Sequence, residues 1–309
     1  MKDWHQSSVL STSGWTTDKI IPLLDLAQTY KTRIEEKKST EIGTQRTCMS
    51  LFFEPSTRTR LSFESAANRL GIRILTVEDA GRNSSSLKGE SLEDTGRILS
   101  AYADVIVVRH PESGSAEKLS THATVPIINA GDGSREHPTQ ALVDLFSIRE
   151  IFKKLDGLHV GFCGDLKNGR TVHSLLRLLV LFGCKITAIS PKELELSQSI
   201  LDDIPGASER VRFEPNLNKA LANLDVLYMT RIQKERFDSS DLYERIRKSY
   251  CLTRRDLEHS PEHLKVLHPL PRLDEISPEV DRDKRAYYFT QAANGVPVRM
   301  ALLTAVLGL

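Results

Sequence analysis

Short apolar runs rich in Val and Ile alternate along the chain with longer stretches whose apolar positions recur every three or four residues. The first kind fits buried strands, the second helices packed along one face. In the first half this pattern predicts strands at Thr47–Phe53, Arg73–Val77, Val105–Val108 and Val125–Ile128, with helices over Lys19–Lys37, Thr57–Leu70 and Gly89–Tyr102. Asp144–Leu155 reads as one connecting helix closed by Gly157. A second series follows, with strands Leu158–Phe162, Lys185–Ile189, Asp225–Met229 and Lys265–Leu267, a helix over Thr171–Phe182, and a last apolar helix over Pro297–Leu309. Such alternation marks parallel βαβ units, so the expected fold is α/β, with two domains that are each a parallel sheet flanked by helices. No internal repeat, low-complexity segment or long linker interrupts it.

A chain of 309 residues suits two domains better than one core. Hydrophobic residues at 39% and charged residues at 27% are a globular balance that excludes long disorder. The formal net charge of +1 argues against a broad basic face, and hence against a nucleic-acid partner. No apolar run reaches membrane-spanning length, and Met1-Lys2-Asp3-Trp4-His5 does not open a signal peptide. Cys48, Cys163, Cys184 and Cys251 are widely spaced and lie mostly in apolar runs. They read as free thiols in a reducing cytoplasm, with neither zinc spacing nor a disulfide framework. The expected location is therefore cytoplasmic, with no metal and no cofactor.

The chemistry concentrates at Phe53-Glu54-Pro55-Ser56-Thr57-Arg58-Thr59-Arg60, which ends one predicted strand and opens a predicted helix. Free N–H groups and the positive end of the helix dipole favour an anion at that position. Arg58 adds a planar fork suited to phosphate oxygens, and Ser56, Thr57 and Thr59 add short donors. The glycine-rich nucleotide patterns are missing: Gly161-Phe162-Cys163-Gly164 is only a partial echo of the dinucleotide fingerprint. Nor is there a Ser-His-Asp order or a GxSxG elbow for covalent catalysis. Taken alone, Ser-Thr-Arg equally fits a capped helix with surface arginines.

The full run resembles the carbamoyl-phosphate signature of the aspartate/ornithine carbamoyltransferase family. Further blocks recur in that family's order: Val108-Arg109-His110-Pro111, Asn129-Ala130-Gly131-Asp132-Gly133, His137-Pro138-Thr139-Gln140, and the stretch from Gly164 to Ser174. Met229-Thr230-Arg231-Ile232-Gln233-Lys234-Glu235-Arg236 and His268-Pro269-Leu270-Pro271-Arg272 complete the series. The resemblance implies a carbamoyl-phosphate domain over 1–145 joined by a returning C-terminal helix, 293–309, and an aspartate domain over 146–292. It implies that Ser56, Thr57, Arg58 and Thr59 bind the phosphate and that Thr59, Arg109 and His137 surround the carbonyl oxygen as its charge grows. Gln140 and the main-chain carbonyls of Leu270 and Pro271 would take the carbamoyl amino group. Glu54 would pair with Arg109 or Arg231 as structural support and not act as a base. The substrate amine is itself the nucleophile, so positioning and electrostatic stabilisation carry the reaction without a covalent intermediate.

Arg170, Arg231 and Gln233 form the expected clamp for an acceptor with two carboxylates, since bidentate arginine contacts match carboxylates better than lysine would. An ornithine-specific relative typically carries His-Cys-Leu-Pro where this chain has His268-Pro269-Leu270-Pro271. The resemblance therefore narrows to the aspartate-specific members, making N-carbamoyl-aspartate early in pyrimidine synthesis. An ornithine-type enzyme and a catalytically silent binding subunit are the alternatives. Asn83-Ser84-Ser85-Ser86-Leu87-Lys88-Gly89-Glu90 is, by composition, a connector. In the resembled family this loop enters the neighbouring subunit's site, which makes Ser84 and Lys88 shared ligands and the working assembly a homotrimer. A regulatory chain or a dihydroorotase partner is compatible with the sequence. Two positions depart from the family pattern: Asn168, where tyrosine or histidine is common, and Leu242-Tyr243, which leaves a hinge tyrosine out of clear register.

Overall fold

The computed structural model describes residues 1–83, 89–232, 244, 250–258 and 260–309. The chain divides into two compact units, residues 1–146 with 293–309 and residues 147–292. Each is built on an all-parallel sheet.

In the first unit the sheet order is β2-β1-β3-β4, from β1 Thr47–Phe52, β2 Arg73–Glu78, β3 Val105–His110 and β4 Ile127–Asp132. Central β1 pairs with β2 from Thr47 opposite Arg73 to Phe52 opposite Glu78, and with β3 from Cys48 opposite Val105 to Phe52 opposite Arg109. Met49, Leu51, Ile106, Val108 and Ile127 are buried, as the near-continuous apolar runs of a doubly covered parallel sheet require. Helix α1 is Thr17–Glu35, capped by the Thr16 hydroxyl accepting from the Lys19 amide, and α2 is Thr57–Arg69. The C-terminal helix Gly295–Leu307 packs on both. Tyr30 and Thr304 share a hydrogen bond at 2.8 Å, and Lys31 donates to Asn294 at 2.9 Å. This helix buries nearly every residue, and Leu302, Leu303 and Val306 each contribute roughly 2 kcal/mol relative to exposure.

The second unit has sheet order β7-β6-β5-β8-β9, from β5 His159–Cys163, β6 Lys185–Ile189, β7 Val211–Phe213, β8 Val226–Met229 and β9 Lys265–Leu267. Its core joins Cys163, Ile189, Leu227, Met229, Val266 and Tyr288.

Three sequence expectations are corrected. Strand β7 was not anticipated: it has three residues, two of them exposed, too short for a pattern. The helix expected over Asp144–Leu155 runs Pro138–Phe152, and Lys153, at φ 60°, follows its end four residues before Gly157. Its first turns are buried on nearly every side and carry Thr139, Gln140 and Asp144 among the apolar residues, so no amphipathic period announces them, while Pro138 fits the first helical position. The helix expected over Gly89–Tyr102 is reduced to Leu92–Leu99, started by the Ser91 hydroxyl accepting from the Asp94 amide.

Candidate active site

In both units the candidate residues lie where the chain leaves the carboxyl end of a parallel strand, the usual ligand side of such sheets. β1 runs through Phe53 and Glu54 into α2. Ser56 takes the N-cap position, but its side chain makes no capping hydrogen bond. The Ser56 hydroxyl thus leaves the first amides of α2 without a side-chain cap. Thr57 and Arg58 are exposed and Thr59 is buried. Partial burial pulls the Arg58 guanidinium below its usual value. Arg60, two residues on, behaves differently: it lies 3.5 Å from Glu64 and 3.2 Å from Glu78.

Arg109, near the end of β3, is largely buried. Its Nη2 lies 2.7 Å from Glu54 Oε1, and Nη1 donates to the Ala130 carbonyl at 3.4 Å. The pair ties the guanidinium to the segment between β1 and α2 and neutralises the Glu54 carboxylate. Within β4, Asn129 ties the strand's end together. Its Nδ2 donates to the Leu10 carbonyl at 2.9 Å and to Asp132 at 3.1 Å, while its Oδ1 accepts from the Gly131 amide at 2.8 Å. Buried His137 follows, with the Thr139 hydroxyl 3.5 Å from Nδ1.

Gln140 donates through Nε2 to Asp144 Oδ1 at 2.7 Å. A carboxylate only accepts, so this contact fixes which way the amide faces, and the Gln140 oxygen is the acceptor left for a ligand N–H. Asp144 is fully buried and its charge acts on Arg299, a lone cation in the apolar C-terminal helix. Burial brings the Arg299 pKa down to about 10, against the upward pull of Asp144. Its guanidinium lies 4.9 Å from the Phe63 ring of α2.

In the second unit, β5 ends at Cys163 and Gly164 follows at φ 121°. A Cβ at Gly164 would meet the Thr230 carbonyl oxygen, so only glycine lets the chain leaving β5 approach the chain leaving β8. Arg170 opens the helix Arg170–Leu181, and Arg231 follows β8. The Nε of Arg231 is buried without a hydrogen-bond partner among the described residues. Asn168, the unusual residue, is held by Asp165: its Nδ2 donates to both carboxylate oxygens at 3.1 Å.

After β9 comes His268-Pro269-Leu270-Pro271-Arg272. His268 and Glu275 are buried, with His268 Nε2 2.7 Å from Glu275 Oε1. Burial, the largest single influence, would raise the Glu275 pKa, but the contact with His268 and the main-chain hydrogen bonds, including that from Leu273, together outweigh it and hold the carboxyl below its ordinary value. Arg272 engages Asp281 through both terminal nitrogens, and Tyr288 donates to the same carboxylate.

Ser56, Thr57, Arg58, Thr59, Glu54, Arg109, His137 and Gln140 therefore belong to the first unit, and Arg170, Arg231, Leu270 and Pro271 to the second. Ser84, Lys88, Gln233 and Leu242-Tyr243 lie outside the described residues. The sequence reading passed over the supporting residues Asp144, Arg299, Asp165 and Glu275. A charged residue alone in an apolar helix, as Arg299 is, was the one signal available. Among the described residues no group of His, Cys, Asp or Glu is placed to hold a metal, and no helix is long and apolar enough to cross a membrane.

The carbamoyl-P binding domain model of the aspartate/ornithine carbamoyltransferases matches residues 7–150, and the family's Asp/Orn binding domain model matches residues 156–306. The aspartate carbamoyltransferase catalytic subunit of Thermococcus gammatolerans is 46% identical over 306 residues, covering 99% of each chain. That of Chromobacterium violaceum is 44% identical over 98% of each. Among solved structures, aspartate transcarbamoylase from Trypanosoma cruzi in complex with N-(phosphonacetyl)-L-aspartic acid superposes with a TM-score of 0.94 at 37% identity, covering 99% of this chain and 98% of that one. The same enzyme in complex with carbamoyl phosphate and aspartate gives 0.93 at 36% identity over 99% of this chain and 98% of that one.

Proposed function

Because the chain belongs to the aspartate/ornithine carbamoyltransferase family, we propose that it transfers the carbamoyl group of carbamoyl phosphate to the amine of L-aspartate, as an early step of pyrimidine synthesis. The aspartate nitrogen forms a bond to the carbonyl carbon, the bond from that carbon to the phosphate oxygen breaks, and phosphate leaves with the proton the amine gives up. The products are N-carbamoyl-L-aspartate and phosphate.

The observation that carries this reading is the junction of β1 and α2, where an uncommitted N-cap hydroxyl, free helix amides and Arg58 stand beside an Arg109 already neutralised by Glu54. Ser56, Thr57, Arg58 and Thr59 hold the phosphate; Thr59, Arg109 and His137 stabilise the carbonyl oxygen as it gains charge. The Gln140 oxygen accepts from the carbamoyl amino group, together with the carbonyls of Leu270 and Pro271. Arg170, Arg231 and Gln233 receive the two carboxylates of aspartate.

A product assay with aspartate and with ornithine tests the reading. Turnover with aspartate alone is expected, and equal turnover with ornithine would overturn it. A phosphonate joined to an aspartate skeleton should bind far more tightly in calorimetry than phosphate, because its two parts are already linked.

The sharing of Ser84 and Lys88 between chains of a homotrimer is part of the same proposal. Arg58→Ala and Lys88→Gln proteins, each nearly inactive, would be dissociated and mixed. In a mixed cyclic trimer one junction pairs an intact arginine with an intact lysine, so about one site in three should recover. A purified mixed trimer no more active than its parents would reject shared sites.

A further inference from the structure

We infer that His268 is a positioning residue for carbamoyl transfer: its imidazole, oriented by the buried Glu275 carboxylate, holds the Leu270 amide and so sets the backbone that presents the Leu270 and Pro271 carbonyls. The inference rests on the functional reading above, which gives those carbonyls their role.

Strand β9 ends at Leu267, so no sheet ladder fixes the residues that follow. Side chains do. The Leu270 amide donates to His268 Nδ1 at 2.8 Å. A ring nitrogen that accepts carries no proton, so the proton of the neutral imidazole sits on Nε2, from which it is donated to Glu275 Oε1 at 2.7 Å. The other Glu275 oxygen accepts from the Leu273 amide at 3.1 Å, and the His268 amide donates to the Gln291 side-chain oxygen at 2.8 Å. His268, Glu275 and Gln291 are 2%, 5% and 0% exposed. Leu270 itself sits at φ 49°, a conformation that a leucine adopts only when its surroundings impose it.

Stability alone does not call for this arrangement. Buried ion-paired and polar groups are often replaced by apolar ones of similar size at no loss of stability. What apolar groups cannot supply is an acceptor aimed at the Leu270 N–H and a proton fixed on the opposite nitrogen. The imidazole gives both at one position, and Glu275 chooses between its two tautomers.

Two substitutions at His268 in the full chain separate the roles. His268→Asn puts Oδ1 where Nδ1 stood, an acceptor suited to an amide two residues on, but leaves Glu275 without its donor. His268→Gln reaches Glu275 but offers the Leu270 amide nothing. His268→Asn should keep turnover within about tenfold of the unaltered enzyme, while His268→Gln and His268→Ala should lose about 100-fold, the cost of displacing reacting groups by an ångström. The thermal midpoints should rank the opposite way, with His268→Gln above His268→Asn. A residue that served only stability would make activity follow the thermal midpoint, and that result overturns the inference. Should all three proteins fail to fold, hydrogen exchange at the Leu270 amide decides. Glu275→Gln, whose amide oxygen still accepts the Nε2 proton, should keep its protection, and Glu275→Ala should lose at least about tenfold. Equal exchange in the two would overturn it. If the unaltered enzyme makes no carbamoyl-aspartate, the functional reading falls and takes this inference with it; a reversed ranking in an active enzyme sinks the inference alone.

Discussion

The first turn of α2 and the loop after β9 both offer main-chain groups to one proposed substrate, and they are organised by different means. At α2 the helix itself aims the amides, and side chains such as Ser56 and Arg58 are left uncommitted. After β9 no regular structure aims the carbonyls, and the loop depends on His268 and Glu275, which are fully committed inside the protein. A donor array made by secondary structure tolerates loss of any one side chain without loss of fold. A loop built from buried polar side chains does not, because each group removed leaves another without a partner.

The largest expected effect is at α2. Arg58→Ala should lower turnover roughly 100- to 1000-fold, as for removal of one preorganised donor, with an unchanged circular dichroism spectrum and thermal midpoint. A clear loss of stability there would erase the contrast between the regions. Next, Glu275→Ala should lower the unfolding free energy by about 2 kcal/mol, because the Nε2 proton of His268 and the Leu273 amide lose their acceptor. Urea titration measures it, and a change under half that size would place the loop's support elsewhere.

Acid sharpens the same contrast. Glu275 and Asp283 both have carboxyls held below their ordinary values, Asp283 at about 2 through hydrogen bonds from Arg285. A carboxyl depressed in the folded state stabilises above its unfolded pKa, and that contribution disappears as the pH falls through the folded value. The second unit should therefore weaken between about pH 4 and pH 2. Asp283→Asn should remove about 1 kcal/mol of that acid dependence after allowance for solvent screening. Denaturation followed at several pH values would show it, and an unchanged acid limb would count against the pair.

The smallest effect belongs to Arg60. Its partner Glu78 is exposed and Glu64 is partly buried, so Arg60→Ala should cost no more than about 1 kcal/mol and leave turnover within about threefold. An Arg60→Ala enzyme as crippled as Arg58→Ala would mean that both arginines face the substrate.

These regions also differ in how openly the sequence announces them. Consecutive Ser56, Thr57, Arg58 and Thr59 at a strand-to-helix switch state their chemistry because secondary structure alone aims them. The parallel sheets were legible for the same reason, in runs such as Lys185–Ile189 and Lys265–Leu267, whose bounds match the structure. Glu275 gave no such notice: it lies seven residues past His268 in a stretch without period, and its role follows only from burial and a tautomer. Arg58 and Arg60 look alike in sequence, and only the Glu64 and Glu78 side chains tell them apart. Arg299 was read as part of an apolar helix because its partner, Asp144, lies 155 positions away in the numbering.

The placement of Gly295–Leu307 on α1 and α2 has a consequence for the order of events at the ribosome. Synthesis proceeds at about 5–20 residues per second, so α1 and α2 emerge many seconds before the helix that covers them. Residues 147–292 have no such wait, since everything in that unit is made together. The nascent chain therefore carries an uncovered apolar surface on its earlier part while its later part is already able to fold, and a ribosome stalled before Gly295 would leave that surface to chaperones.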